Sequence, residues 1–194
     1  MLNNPILEAK NLSFSINQNN LFHGLSFELL SGEALHLKGG NGSGKTTLLK
    51  ILLGITSPRK GHIKWVDDTN TVYLGHKNVL KDYLSVEDNL YLHGIDLANT
   101  STKSILKELN LLDKIDILVG NLSYGQKKKL ALVRVLVNQS KVIVLDEPCV
   151  GLDDRTRAYI VDFLNSELSK NKSVIYTSHI PIEINSKKIN IDKA

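Results

Sequence analysis

The residues best equipped for chemistry form one run: Gly39, Gly40, Asn41, Gly42, Ser43, Gly44, Lys45, Thr46 and Thr47. Gly39 to Thr46 satisfies the pattern G-x-x-x-x-G-K-[ST] at every fixed position. Glycines let a loop take positive φ, so successive backbone N–H groups can turn inward onto phosphate oxygens. A helix opening near Lys45 adds its positive dipole end. Lys45 then reaches the β- and γ-phosphates, and the Thr46 hydroxyl is offered to Mg²⁺. The plainer reading is a flexible Gly/Ser turn. The flanks argue for the phosphate site: apolar Ala34–Lys38 reads as a strand before the loop, and Thr46–Leu53 as a helix after it.

A second concentration of chemistry is Asp146-Glu147, which closes the β-branched run Val142–Leu145 and precedes Pro148. Ligands of α/β sheets bind at the carboxyl ends of strands. There Asp146 is suited to orient Mg²⁺ or its waters, and Glu147 to polarise a water in line with a γ-phosphate. Two acids at a strand end can also merely cap the next helix. Coupled with the phosphate loop, the hydrolytic reading is the stronger.

The elements that must hold these groups alternate between strand and helix. Leu7–Ile16 and Leu25–Leu30 read as strands near an edge, Gly61–Val66 and Thr71–Leu74 as a further pair with Asp67-Asp68 at a turn. Helical character runs from a capped start at Ser85 to about Leu112, then over Gly125–Asn138 and Asp154–Leu168. Ser173–Thr177 is the next strand, followed by a short Lys-rich tail. This order predicts an α/β fold: a mostly parallel sheet core, an antiparallel β edge and a helical insert at about residues 77–122.

Composition sets the outer limits. The 194 residues are 42% hydrophobic and 23% charged, which excludes collagen-like and largely disordered chains. One Cys excludes an intramolecular disulfide and suits a reducing compartment. No apolar run is long enough to cross a bilayer, and Met1 to Lys10 lacks the features of a signal peptide. The net charge of +4 is compatible with a polyanionic ligand or an anionic surface and selects neither.

Between the two motifs lies Leu122-Ser123-Tyr124-Gly125-Gln126, running into Lys127-Lys128-Lys129. This resembles the Leu-Ser-Gly-Gly-Gln signature of ABC-transporter ATPases. Gly151-Leu152-Asp153 resembles their D-loop, and Thr177-Ser178-His179 their histidine switch. Five motifs in the family's order identify the chain as resembling an ABC ATPase, a P-loop NTPase cassette that here would be one ATP-binding domain over 1–194. The resemblance implies ATP hydrolysis with Mg²⁺, with Glu147, His179 and Lys45 catalytic, and with Thr46 and Asp146 at the metal. It further implies a second copy in a head-to-tail ATP sandwich, where Ser123, Tyr124, Gly125 and Gln126 face the partner's nucleotide. Ser123 preceding a helix suits such an anion site. The three lysines that follow read as a solvated helix face.

A narrower resemblance joins Leu21–Phe27, Tyr73-Leu74-Gly75-His76-Lys77, Lys81, Leu84-Ser85 and Asp88-Asn89-Leu90 to the ATP-binding subunit of the heme exporter of bacterial cytochrome c biogenesis. It implies integral membrane partners, membrane contact only through them, the cytoplasmic face of the bacterial inner membrane, and no nucleic acid. ATP hydrolysis would power release of a heme-loaded chaperone. The alternatives are the motor of another small importer or exporter, or a soluble ABC ATPase outside transport. Several positions depart from the family. Tyr124 replaces the first signature glycine, His76 stands at the Q-loop position, and Lys77 replaces that subfamily's Gln. Ile16, where many relatives stack an aromatic on adenine, offers apolar contact without π-stacking. Trp65 and Tyr73 read as structural, and Cys149 as a small buried residue.

Overall fold

The computed structural model describes residues 5–16 and 19–192; the first four residues of the Met1–Lys10 segment lie outside these. Two sheets share the chain. Strands β1 (Leu7–Ile16), β2 (Asn19–Leu29) and β4 (Lys60–Trp65) form an antiparallel sheet in the order β2-β1-β4. Strands β3 (Ala34–Lys38), β5 (Thr71–Leu74), β6 (Val142–Asp146), β7 (Ser173–Thr177) and β8 (Lys187–Asn190) form a parallel sheet in the order β5-β6-β7-β3-β8.

The strand period of two divides the buried residues between two cores. Val142, Val144 and Ile175 face one way, packing with Leu48, Leu49, Ile51 and Leu52 of helix α1 (Lys45–Leu52) and with the antiparallel sheet. Ile143, Leu145, Val174 and Tyr176 face the other way, toward α2 (Val86–Leu92), α3 (Thr100–Glu108), α4 (Tyr124–Leu136) and α5 (Asp154–Ser169). The four α1 side chains are almost wholly buried. Each contributes roughly 1.5–3 kcal/mol, so the helix behind the phosphate loop is firmly seated.

Several elements differ from the sequence expectation, each for a physical reason. The second strand starts at Asn19 rather than Leu25, because Gly24 at φ 68 lies in a bulge that resets the alternation. Phe22 thereby pairs with Phe14, and Leu25 with Leu12. The expected pair over 61–66 and 71–74 divides between the sheets. β4 alternates exposed Lys60, His62 and Lys64 with half-buried Ile63 and Trp65, as an edge needs. β5 packs on both faces beside β6. The helical stretch after Ser85 is two short helices. Gly94, at φ 67, ends the first, while Ile95 N–H donates back to the Leu90 carbonyl. The Asn99 side chain then caps α3 by accepting from Ser101 N–H. The Lys-rich tail contains β8, an edge strand too short to reveal its period in sequence.

Candidate functional site

Strand β3 delivers the chain into the 39–44 loop, and α1 leads it out. Gly42 and Gly44 adopt φ of 81 and 96. A side chain at Gly44 would also meet Leu21 at 3.1 Å, so the turn into the helix is reserved for glycine on two grounds. No side chain caps α1 and no acid lies in its first turn. Its first N–H groups and its positive end are therefore open to an anion.

Around this loop lies a cavity of about 470 Å³. Asn41, Gly42, Gly44, Lys45, Thr46 and Thr47 form its floor. Asp146 and Glu147 enter from the end of β6, His76 from the segment after β5, and His179 from the segment after β7. Ile16, Leu21 and Val150 supply apolar wall, of which only Ile16 was anticipated from sequence. Gly39, Gly40 and Ser43 belong to the loop without lining this cavity.

The polar contacts order the charged groups. Lys45 Nζ donates to the carbonyls of Gly39 at 2.9 Å and Gly40 at 2.8 Å. Asp146 is 2% exposed and accepts from two hydroxyls, Thr46 Oγ1 at 2.7 Å and Thr177 Oγ1 at 2.6 Å. Thr177 also accepts the Glu147 N–H at 3.1 Å, so β7 positions both acids. Glu147 itself takes φ 50, an uncommon conformation for a non-glycine residue and one found where neighbouring contacts over-determine the backbone. Its Oε2 accepts the His179 N–H at 3.1 Å. Its Oε1 is buried without a hydrogen-bond partner, 3.5 Å from His179 Nε2. A carboxylate oxygen left unpartnered beside this cavity is a candidate acceptor for one proton of a water. Beside Asp146, burial and the aspartate's charge push the Tyr73 phenol up to about 12, so it stays protonated.

The remaining motif residues lie outside this cavity. Ser123 caps α4 reciprocally: its Oγ accepts Gln126 N–H at 3.2 Å, and Gln126 Oε1 accepts Ser123 N–H at 2.8 Å. Tyr124 is 55% exposed, with its ring against Gly151, while Gly125 abuts the Gly151 carbonyl. Asp153 caps α5 through Thr156 N–H at 2.8 Å and pairs with Lys129 at 2.6 Å. The Lys129 ammonium holds the Asp153 carboxyl well below the usual range.

The solvated lysine face expected over Lys127–Lys129 does not form. Lys127 pairs with Asp82 at the surface, but Lys129 is only 9% exposed and Lys128 1%. Helix α4 is buried between the sheet and the other helices, so three successive residues cannot all reach water. Burial lowers the Lys128 ammonium, against the charges of Asp146, Cys149 and Glu147, which raise it. Between that lowered value and the ordinary 10.5 the unfolded chain holds more protons, so stability rises with pH across the window. Lys128→Met should therefore stabilise the fold by about 1–2 kcal/mol at pH 7. In thermal unfolding, the gain over wild type should shrink by pH 10; a variant less stable at both pH values would refute this.

Other supporting residues gave no local signal in sequence. His36 stacks on Tyr176 at 4.4 Å between ring centroids, and its Nε2 lies 3.1 Å from the Ser178 carbonyl, steadying the strand exit that carries His179. Arg134 on α4 donates to the Tyr73 and Asn78 carbonyls at 3.2 and 3.4 Å, bracketing the segment with His76. Trp65 is structural, its indole N–H donating to the Leu52 carbonyl at 2.8 Å, and Cys149 is buried.

Among the described residues no cluster of three or more His, Cys, Asp or Glu could hold a metal by itself, and no helix is long and apolar enough to cross a membrane. The Thr46 and Asp146 oxygens are hard donors brought together, a set that suits Mg²⁺, which keeps several waters and shares phosphate oxygens.

Known proteins share these features. The ABC transporter family profile matches residues 22–150. The chain is 33% identical over 193 residues to the cytochrome c biogenesis ATP-binding export protein CcmA of Dechloromonas aromatica (strain RCB), covering 92% of this chain and 95% of that one. It is 37% identical over 171 residues to the protein of the same name from Ruegeria pomeroyi, covering 88% and 83%. A solved ATP-binding subunit of an ABC transporter superposes with a TM-score of 0.79 at 26% identity, covering 90% of this chain and 80% of its own.

Proposed function

The chain belongs to the ABC transporter family and is an ABC-type ATPase, and from that premise we propose that it is the motor subunit of the heme exporter of cytochrome c biogenesis. The observation that carries the enzymatic half is the unpartnered Glu147 Oε1, buried beside an uncapped helix N-terminus and a G-x-x-x-x-G-K-T loop in one cavity. The exporter assignment is supported by relatives of that name over nearly the whole chain.

In this reading residues 1–194 form one ATP-binding domain whose insert spans about 77–122. The loop amides of 41–46 and the start of α1 bind the β- and γ-phosphates. Lys45 turns from the Gly39 and Gly40 carbonyls to the γ-phosphate. Thr46 and Asp146 would hold Mg²⁺, which would supply positive charge to offset that of the phosphates. Glu147 Oε1 accepts a proton as the water oxygen bonds to the γ-phosphorus and the bond to the β-phosphate oxygen breaks, giving ADP and phosphate. His179, fixed to Glu147 through its backbone N–H, offers its ring to the γ-phosphate, and His76, at the Q-loop position, faces the same cavity. A second copy supplies Ser123, Tyr124, Gly125 and Gln126 to this γ-phosphate, with Asp153 beside them. That arrangement is supported by their position outside the cavity of their own chain.

Integral membrane subunits dock on the helical side, holding the motor at the cytoplasmic face of the inner membrane. Val79, Tyr83, Tyr91 and Leu92 are exposed there within one short stretch of chain, an apolar surface suited to a protein partner. Asn89 ties this stretch together by accepting Lys81 N–H at 2.8 Å and donating to the Ser85 carbonyl at 2.8 Å.

Deletion of the gene from its host should abolish heme-bound c-type cytochromes, read by heme staining of membrane proteins, and the intact chain should restore them. Unchanged cytochromes in the deletion strain would overturn the exporter assignment while leaving the ATPase intact.

A further inference from the structure

We infer that Asp192, beyond the last strand, is a positioning residue for the phosphate loop and sets the affinity for nucleotide. The inference rests on the nucleotide-site reading above and extends it to a residue that no motif contains.

Strand β8 pairs in parallel with β3, placing Asn190 opposite Lys38 at the point where β3 enters the loop. Ile191, fully buried, donates its N–H to the Lys38 carbonyl at 2.8 Å and extends that ladder by one bond. Asp192 N–H then donates to Asn190 Oδ1 at 3.0 Å, a local turn that sends the aspartate side chain back toward the loop. Both carboxylate oxygens accept the Gly40 N–H, at 2.9 and 3.1 Å.

Residue 40 is therefore gripped from two sides. Its N–H is held by Asp192 and its carbonyl accepts from Lys45 Nζ, at 2.8 Å. Within the loop, the Gly40 carbonyl also takes Ser43 N–H at a long 3.3 Å. Gly40 has no side chain to pack, and a Cβ there would meet nothing within 4 Å. Fixing a residue's backbone costs roughly 1–2 kcal/mol, and glycine loses the most freedom on ordering. A carboxylate on an N–H is among the stronger available restraints. Asp192 thus orders the loop's first turn before nucleotide arrives, which lowers the ordering cost of binding. Asp192 does not line the nucleotide cavity, so it acts through the loop's backbone and does not compete with phosphate.

The test measures equilibrium binding of ADP and steady-state ATP hydrolysis, both with Mg²⁺, for the full chain and for Asp192→Ala and Asp192→Asn. Asp192→Ala should weaken ADP and raise KM for ATP by roughly three- to tenfold, with kcat within about twofold of wild type. Asp192→Asn keeps an acceptor for Gly40 N–H and should recover most of the affinity. Thermal unfolding without nucleotide should barely change, since Asp192 is exposed. Unchanged or tighter ADP binding by Asp192→Ala, a loss confined to kcat, or failure of Asn to rescue would overturn the inference. A wild-type chain that binds no ADP would overturn the nucleotide-site reading and this inference with it.

Discussion

Glu147→Gln is expected to hydrolyse ATP at least ~10²-fold more slowly than wild type, within the range that removing a general base covers. Binding of ATP should persist. Glutamine has nearly the same shape, and an amide oxygen can still accept the His179 N–H that now reaches Oε2 at 3.1 Å. The left-handed backbone at residue 147 is held by Thr177, whose carbonyl accepts the residue's own N–H at 3.2 Å, and a side-chain exchange leaves that bond in place. What changes is the group at the Oε1 position, an unpartnered carboxylate oxygen in the cavity. An amide there cannot take a proton from water. With the chemical step blocked, the ATP-bound pair of copies should accumulate, seen as an ATP-dependent shift to the dimer in size-exclusion chromatography. Wild-type turnover by Glu147→Gln would refute the base assignment; loss of ATP binding would point to a structural role.

The groups of this site differ in how far the sequence exposes them. The loop, the two acids and the reciprocal cap at Ser123 are legible because each depends on neighbours within a few residues, where type and spacing carry the geometry. The strands β1, β3, β5, β6 and β7 are legible as well, β1 by its alternation and the others as short, largely apolar runs bounded by turn residues. Thr177 could be placed in a motif, but its two hydrogen bonds to the acid pair follow from β6 and β7 lying side by side. Nothing local announces that adjacency. The same holds for Arg134, whose carbonyl partners are 56 and 61 residues away, and for Asp192, 152 residues from Gly40. Lys128 misled in the opposite sense. A lysine run normally means water, and only the packing of α4 on all sides reverses that.

Gly125→Ala is the second large expected effect, and it arises from a contact rather than from chemistry. Gly125 has no positive φ, so alanine fits its backbone, and inside α4 alanine would favour the helix by up to ~1 kcal/mol. Space decides against it. A Cβ at residue 125 would meet the Gly151 carbonyl oxygen at 2.7 Å, and that carbonyl is backbone with no rotamer to change. The start of α4 and the 151–153 turn must separate, at a cost of about 1–3 kcal/mol that matches or exceeds the gain in helix propensity. The net change in unfolding free energy should be a loss of at most about 2–3 kcal/mol, which leaves the fold intact, and ADP binding should stay near wild type because the phosphate loop is untouched. Turnover should not survive as well. Ser123 and Tyr124, proposed above to face the partner copy's γ-phosphate, ride on the displaced helix start, and a misplacement of about an ångström at such a contact can cost ~10²-fold. The same separation pulls against the Lys129–Asp153 pair at 2.6 Å, so strain spreads to the cap of α5. Steady-state ATPase set beside ADP titration and thermal unfolding would therefore show activity lost while binding and fold remain. If activity survived as well, the signature would play no part in hydrolysis in this chain.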